Sequence, residues 1–429
     1  MLASMKTRNM AHWAERARAV LPAGGFGNFA PGMFIREGRG SRVWDEDGKE
    51  YVDYLIGSGP MLLGHGHPEV LQAVAEQLPR GMTFFANNSA GVELAEDICR
   101  AVACAEQVRF LSSGGEADMY AIRLARAFTC RDKIVKFEGG YHGMSAEAQM
   151  SLAPGQRLDF PQAQPDSAGI PEAVRAQMLI APFNDLDYLD TLLSRHGAEV
   201  AGLIVEPLQR IVPPAPGFLA GVRALCDKHG IVLIFDEVVT GFRFAYGGAQ
   251  EVYGVTPDLC TLGKIIGGGF PLAAVAGRKA IMDHFDKSIV GTDRWLMMLG
   301  TLSATPVAAT AGLKTMEVLR RPGAYAQLIA NGERIQAMFT RHLAKARVAH
   351  RIVGHPTLFD VVFTEAEVRN YRDVLSVDAR RSARFNSVLR ANGVFKSPGK
   401  VYPHLALTQA DFVLTDVAIA KAAAALLED

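Results

Sequence analysis

Two short apolar runs in the middle of the chain end in charged residues. Ile231 to Phe235 leads into Asp236 and Glu237, and Leu259 to Leu262 leads into Gly263 and Lys264, with a glycine triplet at Gly267 to Gly269. Buried strands that end this way put a carboxylate and an amine at the carboxyl edge of a sheet, where open α/β sheets bind their ligands. Desolvation disfavours the ammonium form of a lysine in such a pocket, which frees its amine to attack a carbonyl and form an imine. A buried Asp nearby is suited to holding the proton of a ring nitrogen. Each fragment also has a plainer reading. Acids after a strand open helices, and Gly-Lys among glycines forms ordinary loops. The weight comes from their occurring together with further pieces.

Those pieces lie on both sides. Val108 to Leu111 reads as a strand that turns through Ser112-Ser113-Gly114-Gly115-Glu116-Ala117 into a helix reaching Phe128. A strand, a Ser/Gly turn and a helix start together make an anion site from free N–H groups and the helix dipole; the alternative is a plain helix cap by Ser113. The strand Ile134 to Phe137 runs into Glu138-Gly139-Gly140-Tyr141-His142-Gly143. There Tyr141 either stacks on a planar ligand or lies on the core. Val200 to Val205 is a further buried strand, ending in Glu206-Pro207. His65 and His67 form an HxH pair without a third ligand at a suitable spacing, so a turn before the helix starting near Pro68 is the expected role and no metal is assigned.

The elements that must position these residues alternate. Helices are expected at Met10 to Val20, Val92 to Val102, Leu186 to His196 and Phe218 to His229, the last closed by Gly230. Strand and helix take turns through the middle of the chain, the signature of a parallel α/β sheet. Residues 150–178 read as an irregular excursion, and Leu272 to Ala276 as another strand. Arg42 to Trp44 and Tyr51 to Tyr54 read as a hairpin. Beyond about 320 the pattern becomes α+β: a helix Ala324 to Arg347, a strand Phe359 to Thr364, a helix Ala379 to Ala391, a strand Tyr402 to Leu407, and a last helix capped by Thr408 with Asp411. The expected division is 1–60 as the N-terminal part of a small domain, 61–319 as a large domain, and 320–429 as the rest of the small one.

With 429 residues there is room for two or three domains. Lys+Arg and Asp+Glu are equal at 45 each, without a basic block, which argues against nucleic acid as a partner. No apolar run approaches the ~20 residues that span a bilayer. The N-terminal segment reads as a helix rather than a secretory signal. The five cysteines are scattered, as expected of free thiols in a reducing cytoplasm.

Taken together, Asp236-Glu237-Val238, Gly241-Phe242-Arg243, Gly247-Gly248-Ala249-Gln250, Pro257-Asp258 and Gly263-Lys264 resemble the class III aminotransferases dependent on pyridoxal 5'-phosphate (PLP). The likeness is closest to the branch containing glutamate-1-semialdehyde aminomutase, and runs from Arg42 to about Leu319 and more loosely to the end. It implies fold type I, with a large, mostly parallel seven-stranded sheet domain and a smaller α+β domain made from both chain ends. It also implies a homodimer with active sites at the subunit interface. On this likeness Lys264 looks like the Schiff-base lysine and proton carrier, and Asp236 like the partner of the pyridine nitrogen. Val238 and Tyr141 would flank the ring, with His142 beside it. Ser113, Gly114 and Gly115 would hold the phosphate, Thr301 would reach the neighbouring subunit's phosphate, and Glu206 would balance charge near the substrate.

The chain departs from that pattern in four places. Gly115 replaces the hydroxyl residue usual in the phosphate turn, and Ser58 stands where the aminomutases carry an aromatic. No arginine occurs between Gly25 and Ala30 or around Tyr402-Pro403-His404, where relatives grip a substrate carboxylate; arginine is the natural bidentate ligand for one. Phe26, Phe29 and Trp295 suggest a roomier, more apolar pocket, with Arg210 and Arg294 as unplaced carboxylate binders. The expected reaction is therefore transfer of an amino group from an amino acid or amine to a keto acid, ketone or aldehyde. Intramolecular transfer of the aminomutase type is the alternative.

Overall fold

The computed structural model describes residues 9–427; the first eight residues of the expected N-terminal helical segment lie outside them. A seven-stranded sheet forms the centre. Its strands are β1 (Gln107–Leu111), β2 (Lys133–Phe137), β3 (Met178–Ala181), β4 (Val200–Val205), β5 (Val232–Asp236), β6 (Leu259–Leu262) and β7 (Ala273–Gly277). Their order across the sheet is β1-β7-β6-β5-β4-β2-β3. Only β7 runs against its neighbours β6 and β1; the remaining pairs are parallel. The carboxyl ends of β1, β2, β4, β5 and β6 therefore share one edge.

Parallel strands joined by helices are covered on both faces, which is why these runs are continuously apolar. Along β5, Leu233 and Phe235 enter one core with Phe137, Leu203 and Leu262. Val232 and Ile234 enter the opposite core with Ile134, Ala201 and Leu259. The helices Leu186–His196 and Phe218–His229 form with the expected bounds, and Gly230 closes the second at φ 63°.

A second, four-stranded sheet contains Ile35–Arg39, Arg42–Asp45, Glu50–Asp53 and Val394–Phe395, the last pairing in parallel with Glu50–Asp53. Both chain ends thus enter one layer. Val52 and Tyr54 share a core with Ile335, Phe359, Phe385 and Phe412.

Four strands lie outside the expected set. Ile35–Arg39 is exposed throughout and, after Ile35, has no apolar side chain. Met178–Ala181 directly follows the irregular excursion and has only four residues. Arg351–His355 pairs with Leu358–Val362, and Val394–Phe395 has only two residues. The expected strand Tyr402 to Leu407 is absent. Only Val401 bridges to Phe359, after which Tyr402 N–H donates to Tyr54 and Leu405 N–H to Leu62. Pro403 has no N–H to give a ladder, and the chain instead runs irregularly against the loop that follows Asp53.

Candidate active site

Lys264 and Asp236 leave adjacent parallel strands at the same edge. Asp236 is the last residue of β5, 6% exposed, and accepts from Val238 N–H at 3.1 Å. Its Oδ2 lies 2.8 Å from Nδ1 of His142, a buried imidazole delivered by the loop after β2. One carboxylate oxygen is thus fixed by a histidine and the other by its own turn. Lys264 stands two residues past β6 with φ 49°, a left-handed conformation that a lysine adopts at an energetic cost and that recurs at functional positions. Burial pushes its amine below the ordinary lysine range, while Tyr402 and Asp236 pull the other way.

Lys264 has neighbours that the sequence did not single out. A Cβ built at Gly59, where φ is 115°, would meet Tyr402 Cε1 at 3.2 Å, Lys264 Cδ at 3.4 Å and Arg243 Nη2 at 3.5 Å. Arg243 is fully buried, donates to the carbonyls of Gly59 and Thr357, and lies over the Tyr402 ring at 5.1 Å. Burial brings the Arg243 pKa down to about 10. Burial alone would raise the Tyr402 phenol, but Lys400, Lys264 and Arg243 outweigh it and hold it below its usual value.

Ser113 caps the helix Gly114–Thr129 in a reciprocal box with Glu116, so the plain-cap reading is correct as far as it goes. The Glu116 carboxylate accepts from the N–H groups of Ser112 and Ser113 at 3.0 and 2.9 Å. An anion therefore already sits against this turn, as the dipole favours. Gly114 and Gly115 are the first two residues of the helix, where N–H groups have no intrahelical acceptor. Close approach requires Gly114 and Gly143: a Cβ on Gly114 would fall 2.8 Å from Val238, and one on Gly143 would fall 2.4 Å from the Gly115 Cα, whereas a Cβ on Gly115 would meet nothing closer than 3.3 Å. Val238 is thereby wedged between Gly114 and Gly263.

Tyr141 is held by its backbone, whose N–H donates to the Glu206 carboxylate at 2.9 Å. Arg210 lies over its ring at 5.3 Å. Arg294 is occupied elsewhere, donating to the carbonyls of Ala127 and Phe128. Of the three aromatics expected to line an apolar pocket, Phe26 is 84% exposed, Phe29 packs on Phe395, and Trp295 Nε1–H donates to the Phe285 carbonyl. Thr301 is exposed, and its carbonyl accepts from Thr83 rather than from any group of the Lys264 site.

A model of the class-III aminotransferase family matches residues 27–423. Among solved structures, the chain is similar to an omega-transaminase from Sphaerobacter thermophilus. The two are 35% identical, with 98% of this chain and 97% of that one covered and a TM-score of 0.91. A transaminase with PLP bound is 30% identical over 97% of both chains, at a TM-score of 0.88. A glutamate-1-semialdehyde-aminomutase from Pseudomonas aeruginosa is 25% identical over 97% of this chain and 94% of that one, at 0.86.

Proposed function

The chain belongs to the class-III aminotransferases, and from that premise we propose how its residues divide the work of a PLP-dependent transaminase that moves an amino group from a donor to a carbonyl acceptor. The observation that carries the reading is the placement of Lys264 and Asp236 at one edge of neighbouring parallel strands, with Asp236 clamped by His142. The residues fit the cofactor. The glycine turn at 113–115 accepts an anion, and Val238 and Tyr141 offer two flanking surfaces. A buried carboxylate stands ready for a ring nitrogen. When bound, PLP supplies a carbonyl that takes up the amino group and a ring that accepts electron density.

Lys264 Nζ would hold the cofactor through its carbonyl carbon and, once displaced by the donor, would move the proton between the donor carbon and that cofactor carbon. Its lowered pKa leaves a larger share of free amine for that task. Asp236 keeps the ring nitrogen protonated, and His142 keeps Asp236 oriented. Ser113, Gly114 and Gly115 hold the phosphate, while Glu206 fixes the Tyr141 backbone. Absence of an arginine at the two expected places favours transfer between molecules over the aminomutase reading.

The test is the visible absorption of the PLP-loaded protein against a panel of amino acids and simple amines. The expected result is loss of the cofactor band with one donor class and its return on adding a keto acid. A band that no donor in the panel bleaches would remove transamination of these classes.

A homodimer with shared sites fits an apolar surface. Phe85 and Leu299 are 70% and 71% exposed, and Met82, Phe84 and Leu302 beside them are also exposed. Such a patch, flanking Thr301, marks an association surface, and it would bring Thr301 to the partner's phosphate. Sedimentation should give twice the 46.3 kDa chain mass, and Leu299→Asp should shift the protein towards the single chain. A wild-type protein that sediments as one chain when loaded would overturn this part. No helix among the described residues is long and apolar enough to cross a membrane, and the free thiols are in keeping with a cytoplasmic setting.

A further inference from the structure

Behind Asp236 lies a second acid. Asp118 projects from the helix Gly114–Thr129, is 2% exposed, and sits on the face that buries Ala117, Ala121 and Ala125. Between the two acids stands Thr261, from the middle of β6 and fully buried. Its Oγ1 is 2.6 Å from Asp118 Oδ1 and 3.4 Å from Asp236 Oδ1. A threonine hydroxyl has one hydrogen, so it cannot donate to two carboxylates at once. If both acids were ionised, one of these contacts would set two acceptors against each other in a dry interior, which is costly. One extra proton on either acid satisfies all three groups, and Asp236, whose Oδ1 already accepts from Val238 N–H, is the better placed of the two to stay ionised. The Asp118 O–H donates to Thr261 Oγ1, and the Thr261 O–H donates to Asp236 Oδ1.

We propose that Asp118 is a positioning residue of the cofactor site: a neutral carboxylic acid whose proton, relayed by Thr261, holds Asp236 ionised and aligned on His142. The proposal rests on the reading that Asp236 serves the cofactor's ring nitrogen. The charged and titratable groups that face Asp118 point the same way on balance. Burial and the Asp236 carboxylate push its pKa well above the carboxylate range. The Thr261 hydrogen bond and Lys264 act against them, and Glu206 adds to the rise. Tyr141 and His142 complete the surroundings on the cofactor side.

Two measurements test it. The first uses cofactor-free protein and infrared difference spectra between wild type and Asp118→Asn at neutral pH. The expected result is a carboxylic-acid carbonyl band that the variant lacks. Identical spectra in that region, or loss of a carboxylate band instead, would overturn the proposal. The second follows the pH midpoint of the visible cofactor band. In Asp118→Asn the new side-chain amide would still donate to Thr261, so this variant should keep the wild-type midpoint, whereas Asp118→Ala and Thr261→Val should each move it by about one pH unit or more. Equal shifts for Asp118→Asn and Asp118→Ala would mean that Asp118 is ionised, and would refute the relay. Should Asp118→Ala not fold, the Asp118→Asn and Thr261→Val variants and the infrared band still decide. Failure of the cofactor reading is separable: Asp236→Asn would then leave the visible band unaltered while the Asp118 infrared band persisted.

Discussion

Replacing Lys264 by alanine should abolish transamination, with turnover falling by at least about 10³-fold, while the circular-dichroism spectrum stays that of wild type. On the proposed reading Lys264 has two duties, holding the cofactor and moving the proton, and the proton transfer alone is worth about 10²–10⁴-fold. The variant should bind PLP without a covalent link, so borohydride reduction should fix cofactor to wild type and not to Lys264→Ala. Turnover within tenfold of wild type would remove Lys264 from the mechanism. The same pair of proteins has a signature without cofactor. Burial depresses the folded-state Lys264 pKa below the ordinary 10.5, so the folded protein binds fewer protons there than the unfolded chain. Stability from this group therefore rises as pH climbs from the depressed value towards 10.5, and is level beyond it. Wild type should gain on Lys264→Ala across that window in urea unfolding series. Parallel stability curves would contradict a depressed amine.

The second large effect is expected at Asp236. Asparagine there keeps the shape but removes the charge, and it puts an amide against His142 and the Val238 N–H, both now placed for a carboxylate. Losing a preorganised electrostatic partner in a water-poor site costs about 10²–10³-fold in turnover. Asp236→Asn should therefore fall by roughly that factor, still bind PLP, and show an altered pH dependence of the visible band. An Asp236→Asn protein with wild-type turnover and an unchanged band would take Asp236 away from the ring nitrogen. His142→Ala should produce a smaller loss in the same direction, since it leaves the charge but frees the carboxylate to turn.

Much of this site was legible because its parts are local in sequence. A strand that stops at Asp236 and another that stops two residues before Lys264 announce themselves by apolar runs broken by charge. The Ser113 cap is a three-residue signal, completed by Glu116. The helix periods and the Gly230 terminus likewise depend only on near neighbours, which is why Met10–Val20, Leu186–His196, Phe218–His229 and Ala379–Ala391 form with the expected bounds, whereas the helix expected from Val92 starts at Ser89. Elements fail where pairing is long-range. Ile35–Arg39 has no apolar face to reveal it, and Tyr402 to Leu407 looks like a strand by composition yet spends its hydrogen bonds on Tyr54 and Leu62.

What the sequence by itself determined is the chemistry available: an amine and an acid at strand ends, an anion-binding turn, an aromatic in a glycine loop. Only the tertiary structure decided which groups surround them. It brings His142 onto Asp236 from 94 residues away, sets Thr261 between Asp236 and an Asp118 lying 143 residues before it, and folds Tyr402 and Arg243 against Lys264. One signal for Asp118 was present, an acid among the alanines of a buried helix face. Its partner, however, is fixed by sheet order, and sheet order is set by which apolar faces can be covered at once rather than by any stretch read alone.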